Sequence, residues 1–311
     1  MMELRNSPLL TKAYDSPALF KPVKNSAYIG LHGVEERSHH SQGDISDATK
    51  FLHVNREGER DFDIDLGNDV GVRTISLRSR KQLEGIWSTS QTDLFYLDIT
   101  GLRHHIWMPL LKSAIETKVE LRVIYVEPEA YRPSMTPTEG QIYDLSERIL
   151  GISPIPGFAT FSRTPDEFLF VPLLGFEGTR VSYLLEQVQP VYDRIVPVVG
   201  VRGFKPEHPF SSYLANRIAL QETNAWHRIE YADANCPFSL YYLLNDIYER
   251  HRIEHIKIAL VGTKPHALGA ALFMLEDKSK RELVYDHPIR SSKRTAGKGR
   301  LLEYEVSPFL K

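Results

Sequence analysis

The sequence lacks the residues that disulfide bonding and membrane insertion require. Cys236 is its single cysteine, so neither an intramolecular disulfide nor a multi-cysteine zinc site can form. No stretch comes close to the roughly 20 consecutive apolar residues that a membrane-spanning helix needs, and the N-terminal residues contain no long apolar segment. We therefore expect a protein of the reducing cytoplasm, without a membrane partner.

The sequence also has little net charge and lacks the common cofactor-binding motifs. With 38 basic and 40 acidic residues the formal charge is −2, which argues against general affinity for nucleic acid and leaves only local patches as candidates. The GxGxxG, GxxxxGK[ST] and GxSxG motifs do not occur, and no cofactor is expected. His251, Glu254 and His255 fit the H-x-x-E-H spacing of zinc peptidases, but His255 falls in a predicted turn, so we predict no metal site.

What the sequence does contain is a core-forming composition in alternating strand and helix patterns. Of its 311 residues 42% are apolar, enough for one large or two ordinary domains. The alternation predicts an α/β fold with two Rossmann-like halves and mostly parallel sheets. The prolines suggest an N-terminal arm (1–25), a first half (26–131), a Pro-rich connector (132–166) with one helical segment, GQIYDLSERIL, and a second half (167–311).

The clearest pattern is Ile256–Met274, IKIALVGTKPHALGAALFM. An apolar run typical of a buried parallel strand passes through a turn into a helix of small residues. In the turn, Gly262 permits close backbone approach, while Thr263 offers a hydroxyl and Lys264 a charge. With His266 in the first helical turn, this corner is predicted to hold a phosphate or another anion. The alternative is an ordinary β–α loop.

A second strand, turn and helix of the same kind lies upstream, in Asp93–Ala114. Its corner, Thr100-Gly101, precedes the strand LRVIYVEP by about as many residues as Gly262 precedes ELVYDHP. We interpret the two patterns as an internal duplication, with Thr100, Gly101 and His104 contacting a ligand from the first half. The alternative is that glycine and charged residues gather at strand ends in any α/β protein.

Each half also has an early corner that combines glycine, glutamate and arginine. Glu35 and Arg37 mark it in the first half, and Glu177 and Arg180 mark it in the second. A carboxylate beside an arginine predicts a catalytic site in which the carboxylate is the acid or base and the arginine stabilises charge. The alternative is an ion pair that orients its loop.

A basic run from Arg290 to Arg300 carries five positive charges and no acidic residue. Arg290, Lys293 and Arg294 come soon after the strand ELVYDHP, so we expect them near the carboxyl edge of a parallel sheet, in contact with a ligand phosphate. Nucleic-acid contact through residues 290–300 and a solvated loop are the two alternatives.

The Gly262-Thr263-Lys264-Pro265-His266 corner and its helix resemble the Gly-Thr-Lys signature of CRISPR-associated Rossmann-fold (CARF) domains and of the related SAVED domains. The resemblance covers about ten residues directly, and Val261 stands where the usual second glycine is expected. It implies a cyclic oligonucleotide bound between two Rossmann-like units, cleavage without metal in some members, and a signal passed to a nuclease or another effector in antiviral defence.

These patterns together predict a cytoplasmic sensor or regulatory protein that binds a nucleotide-type or otherwise anionic ligand at the carboxyl edge of its two halves. Two alternatives stay open. The first is an enzyme that acts on nucleotides or nucleic acid through the Glu/Arg corners, which turnover of a bound ligand would reveal. The second is a subunit of a defence assembly that contacts an effector protein or nucleic acid, which co-purification would reveal.

Overall fold

The computed structural model describes residues 10–40, 50–67, 70–89, 92, 94–138, 141–160, 167–252 and 255–310. The chain forms two compact units, the first made of residues 1–130 and 296–311 and the second of residues 131–295. The segment 132–166, expected as a connector, therefore belongs to the second unit, and the last residues of the chain belong to the first.

Strands and helices alternate along both units. The strands are β1 (Thr11–Tyr14), β2 (Ala27–Gly30), β3 (Lys50–Glu57), β4 (Asp61–Asp65), β5 (Val72–Ser76), β6 (Leu94–Asp98), β7 (Glu120–Val126), β8 (Ala130–Tyr131), β9 (Pro133–Thr138), β10 (Gln141–Tyr143), β11 (Ser146–Ile149), β12 (Leu169–Leu173), β13 (Val198–Gly200), β14 (Glu230–Ala232), β15 (Ile256–Leu260), β16 (Arg281–Val284), β17 (Pro288–Arg290), β18 (Thr295–Ala296) and β19 (Leu301–Glu305). The helices are α1 (Arg80–Thr89), α2 (His104–Glu116), α3 (Gly178–Val188), α4 (His208–Ala215), α5 (Arg217–Glu222), α6 (Pro237–His251), α7 (Lys264–Glu276) and α8 (Val306–Leu310). Within the described ranges, none of these helices combines the length and the apolar character needed to cross a membrane.

The first unit is built on a mixed sheet of eight strands in the order β1-β19-β7-β6-β2-β3-β4-β5. The middle strands β7, β6, β2 and β3 are parallel, and the outer strands pair antiparallel with their neighbours. All residues of β2 and most of β6 are buried, because central strands of such a sheet are covered on both faces. β1 comes from the predicted N-terminal arm and lies at the edge of this sheet.

The second unit is built on an all-parallel sheet of five strands in the order β14-β13-β12-β15-β16. Counted along the unit the order is 3-2-1-4-5, so the chain moves outward from β12 in one direction and later continues from β15 in the other. All five residues of the central strand β12 are buried. α7 follows β15, and its small residues allow tight packing, so that Lys264 through Met274 are all buried.

Four parallel strands have the same order in the two sheets. The strands β3-β2-β6-β7 of the first unit match β13-β12-β15-β16 of the second, since each set has the order 2-1-3-4 when only its four strands are counted along the chain. In both sets a helix follows the third strand, α2 after β6 and α7 after β15. The predicted α/β class is confirmed, with one mixed sheet and one all-parallel sheet.

The segment GQIYDLSERIL, predicted as a helix, contains strands instead. β10 pairs antiparallel with β9, and β11 pairs antiparallel with β17. Ile142, Leu145 and Ile149 are spaced as on one face of a helix, but strand partners from other parts of the unit override that local preference. The final strand, expected in the second half, joins the first unit as β19 because it pairs with β7 and β1.

Candidate ligand-binding cleft

An open cleft lies in the second unit, at the carboxyl ends of β12, β13 and β15. It occupies the place between β12 and β15 from which the strand order continues in opposite directions, and open α/β sheets bind ligands at such a place. The loops that follow the strands supply most of its lining residues, which are Tyr131, Leu145, Leu174, Gly175, Phe176, Gly200, Gly203, Phe204, His208, Ser212, Ala234, Val261, Gly262 and Thr263.

A glycine brings the two central loops of the cleft together. A Cβ atom at Gly175, after β12, would lie 2.4 Å from the carbonyl oxygen of Val261, after β15. Such a distance is shorter than any real contact of this kind, so a side chain at position 175 would force the loops apart. Gly262 is less restricted, because its Cβ would lie 3.3 Å from the nearest atom, the carbonyl oxygen of Leu174.

Aromatic rings form one wall of the cleft. The Phe176 ring lies 5.1 Å from the rings of both Tyr131 and His208, and the Phe204 ring lies 6.2 Å from that of His208. Tyr143 supports Phe176 from outside the cleft lining, with 5.0 Å between the ring centroids. These edge-to-face and tilted contacts form an aromatic wall.

The residues that lead into α7 also line the cleft. The Thr263 hydroxyl caps this helix by accepting a hydrogen bond from the His266 backbone N–H at 3.3 Å, and it donates one to the Ala234 carbonyl at 2.6 Å. The first turn of a helix carries partial positive charge and favours an anion. Of the ligand-binding residues predicted in this corner, Gly262 and Thr263 line the cleft.

Lys264 and His266, the other two residues predicted to contact a ligand in this corner, are both buried. The Lys264 side chain is buried rather than presented at the surface, with 7% of the residue exposed. His266 lies outside the cleft lining, and its Nε2 atom is 3.0 Å from the Asp233 carbonyl oxygen. Burial lowers the pKa of His266 from 6.5 to about 4. The ring is therefore neutral at pH 7, and its visible role is structural.

The residues predicted to form the matching corner in the first unit are occupied by packing. The Thr100 hydroxyl accepts a hydrogen bond from the Val126 backbone N–H at 2.9 Å. A Cβ atom at Gly101 would lie 2.2 Å from the Leu31 carbonyl oxygen, so the glycine is needed for close approach of two loops. His104 is buried and its ring contacts that of Trp107. A ligand contact by these three residues remains a prediction, and their visible contacts are internal.

Glu35 and Arg37, predicted as catalytic, form a buried ion pair in the first unit. The Arg37 Nε atom lies 2.6 Å from a Glu35 carboxylate oxygen. Its guanidinium also donates to the Tyr125 hydroxyl and to the Val126 carbonyl, both at 2.9 Å. These contacts are the ones expected of an ion pair that orients its loop, with the arginine holding the loop against the end of β7.

Glu177 and Arg180 are arranged in a similar way in the second unit. Arg180 makes a bidentate contact with the carboxylate of Asp286, at 2.8 and 2.6 Å, and a further one with Glu177 at 3.1 Å. Asp286 is fully buried and follows β16. Neither Glu177 nor Arg180 lines the cleft. A catalytic role for either corner is untested by these contacts.

The basic run begins in a strand and continues into a loop in which Lys293 and Lys298 are exposed. Arg290 ends β17, which pairs with β11, and the Ser291 backbone N–H donates to the carbonyl of the cleft residue Leu145 at 3.0 Å. The Arg294 carbonyl accepts a hydrogen bond from the Arg132 backbone N–H at 2.9 Å. Lys293, between them, has a positive φ of 58°. None of these three residues is among the described residues that line the cleft, and their contact with a ligand phosphate remains a prediction.

No cluster of three or more metal-ligating side chains is present among the described residues. α6 ends at His251, and His255 directly precedes β15. Glu254, the middle member of the H-x-x-E-H pattern, lies outside the described residues.

Sequence reasoning missed the loop after β13 and the start of α4. Gly203, Phe204, His208 and Ser212 line the cleft from this segment, but they form no known binding motif. The one available signal was GVRGF, a glycine-rich turn with an aromatic residue directly after an apolar strand. A scan of the chain against protein-family models and a search of curated proteins found no match.

Proposed function

We propose that this protein is a sensor or regulatory protein that binds a nucleotide-type ligand in the cleft of the second unit. One observation carries the proposal: the cleft opens at the carboxyl edge of an all-parallel sheet, where the strand order continues in two directions from β12 and β15. Nucleotides are characteristic ligands of that position in doubly wound folds.

Two groups of lining residues suit the two parts of a nucleotide. The rings of Phe176, Phe204 and Tyr131 offer an apolar surface for a base. Stacking on an aromatic side chain contributes about 1 to 3 kcal/mol per base. Gly262 and Thr263 precede the first turn of α7, where backbone dipoles favour a phosphate. The basic strand beyond Leu145 would extend the same preference to further phosphates, or to nucleic acid.

We propose further that the two units are Rossmann-like copies of one ancestral unit. The shared order of four parallel strands supports this, as does the reach of Arg37 and Arg180 to the end of the last parallel strand of each set. On this proposal one copy retains an open carboxyl edge, while the corner of the other, at Thr100 and Gly101, is filled by internal contacts.

The Gly262-Thr263-Lys264 signature favours a cyclic oligonucleotide among possible ligands and an effector protein as the partner, as in antiviral sensors of the CARF type. An enzyme is the weaker candidate, since the predicted catalytic arginines, Arg37 and Arg180, are committed to buried ion pairs. Turnover of a bound nucleotide would favour the enzyme.

Calorimetric titration of the full chain with the four ribonucleoside 5′-monophosphates and with cyclic oligonucleotides tests the proposal. Phe204→Ala removes part of the aromatic wall and should weaken the best-bound nucleotide roughly tenfold. Phe210→Ala is the matched control, because Phe210 lies on the neighbouring helix, is 75% exposed and does not line the cleft. The proposal is wrong if no nucleotide binds, or if the two variants lose affinity equally.

A further inference from the structure

His208 is the one imidazole in the lining of the cleft. It begins α4 and is 9% exposed. Three aromatic side chains surround its ring, with centroids 5.1 Å away for Phe176, 5.6 Å for Tyr131 and 6.2 Å for Phe204. This environment holds the ring in place and leaves its remaining edge toward the cleft.

The hydrogen bonding of His208 identifies which nitrogen carries the proton. The Nδ1 atom accepts a hydrogen bond from the Lys205 backbone N–H at 3.3 Å. A neutral imidazole that accepts at Nδ1 is protonated at Nε2. Burial lowers the pKa of His208, so the neutral form is the one present at pH 7. Nε2–H is therefore a neutral donor.

That donor has no acceptor within the described part of the chain. Within that part of the chain the His208 ring makes its hydrogen bond through Nδ1, to the backbone. Nε2 is not one of the fully enclosed side-chain atoms that lack a partner. It therefore remains accessible from the cleft that His208 lines. If a bound molecule covers this donor without accepting a hydrogen bond from it, the donor is left unsatisfied and binding is weaker.

The loop before α4 is shaped to place this ring. A Cβ atom at Gly203 would lie 2.7 Å from the His208 Cβ and 2.8 Å from the Lys205 carbonyl oxygen. Glycine at position 203 thus permits the tight turn that brings the Lys205 N–H to Nδ1 and the ring into the cleft.

We propose that His208 determines specificity in the cleft by donating a hydrogen bond from Nε2 to a ring nitrogen or carbonyl oxygen of a heteroaromatic ligand, the base of a nucleotide. This inference rests on the proposed function and adds the group that reads the base. The aromatic wall accepts any planar ring, whereas a fixed donor discriminates by the position of the acceptor. His208 would thus favour some bases over others while phosphate binding is left to Gly262 and Thr263.

The test compares two probes on the full chain, the best-bound ribonucleoside 5′-monophosphate and ribose 5-phosphate, which has no base. His208→Phe keeps an aromatic ring in the cluster and removes the donor. We expect it to weaken the nucleotide about fivefold, the value of one hydrogen bond, and to leave ribose 5-phosphate affinity unchanged. A second readout uses the ¹⁵N-labelled wild-type protein, in which the His208 Nε2–H proton signal should move downfield when the nucleotide is added.

The outcomes separate the two proposals. If the wild-type protein binds the nucleotide more tightly than ribose 5-phosphate but His208→Phe does not reduce that difference, the role of His208 is wrong and the cleft remains a nucleotide site. If both probes bind the wild type equally, the cleft binds phosphate alone and no base is read. If neither binds, both proposals fail. Should the variant not fold, an unmoved Nε2–H signal on saturation of the wild type overturns the role of His208.

Discussion

Acid should destabilise the second unit in part through His266. The folded protein holds its pKa at about 4 because the ring is buried, although the hydrogen bond to the Asp233 carbonyl acts in the opposite direction. An unfolded chain returns the pKa to about 6.5, so the unfolded state binds more protons at any pH below that value. The contribution of His266 is thus fully present above about pH 6.5 and is lost as the pH falls toward 4.

The two pKa values set the size of the effect. Each unit of difference corresponds to about 1.4 kcal/mol, and linkage between pKa values of about 6.5 and 4 gives a loss of about 2 kcal/mol between pH 8 and pH 5. This loss is a substantial part of the roughly 5 to 15 kcal/mol that stabilises an ordinary domain.

The assay is urea unfolding of the full chain at pH 8 and pH 5, followed by circular dichroism, for the wild type and for His266→Gln. Glutamine retains an N–H donor but does not titrate in this range. Its free energy of unfolding should be lower than that of the wild type at pH 8, yet fall about 2 kcal/mol less on acidification. His32 and His208, whose pKa values burial also lowers, titrate in both proteins and cancel in the comparison.

Two results would refute this reasoning. One is an equal loss of unfolding free energy in the two proteins between pH 8 and pH 5. The other is a direct titration, by the ring proton signals of the folded protein, that places the pKa of His266 near its ordinary value.

Three further predictions concern buried groups. Lys264→Ala should lower the free energy of unfolding by about 1 to 3 kcal/mol because the side chain is buried. Lys264→Met should lower it less, and the two variants should weaken binding of a phosphate ligand equally. Gly101→Ala should destabilise by about 1 to 3 kcal/mol, since its Cβ would meet a backbone carbonyl, whereas Gly85→Ala on α1, with open space around it, should stabilise by about 0.5 to 1 kcal/mol. Arg180→Met should cost about 3 to 5 kcal/mol because a fully buried carboxylate loses its partner, and Arg56→Met, in an exposed ion pair, should leave the melting temperature nearly unchanged.

Thermal and urea unfolding of each pair check these values. Equal stability of Lys264→Ala and the wild type would contradict the burial of Lys264. A stable Gly101→Ala protein would mean that its corner has room for a side chain and for a ligand. A stable Arg180→Met protein that had lost ligand turnover would return Arg180 to the catalytic role predicted from sequence.

Local sequence patterns were sufficient to predict those elements whose conformation is set by residues close in sequence. The apolar run of β15, the Gly262 turn and the small-residue helix α7 lie where the sequence places them, because strand, turn and helix each have a local signature. β10 and β11 could not be found in this way, since their strand partners β9 and β17 decide their conformation, and β17 is far along the chain.

The cleft was predictable in part for the same reason. Gly262 and Thr263 could be placed at its edge from the strand and helix that flank them. Phe204 and His208 could not, because a loop after β13 carries them into the cleft and no motif marks that path. The burial of Lys264 could not be read from the sequence either, because a lysine at a helix start suggests exposure, whereas the tight packing of α7 encloses it.

The sheet of the first unit is completed by β19, the last strand of the chain to be synthesised. It pairs with β7 from a place about 180 residues further along the chain, so that Arg122 and Glu303 form an ion pair across 181 positions. The whole of residues 131–295 leaves the ribosome before this partner is available. During translation the second unit can finish folding while β7 still has an unpaired edge, which invites chaperones or wrong strand partners until the last residues emerge.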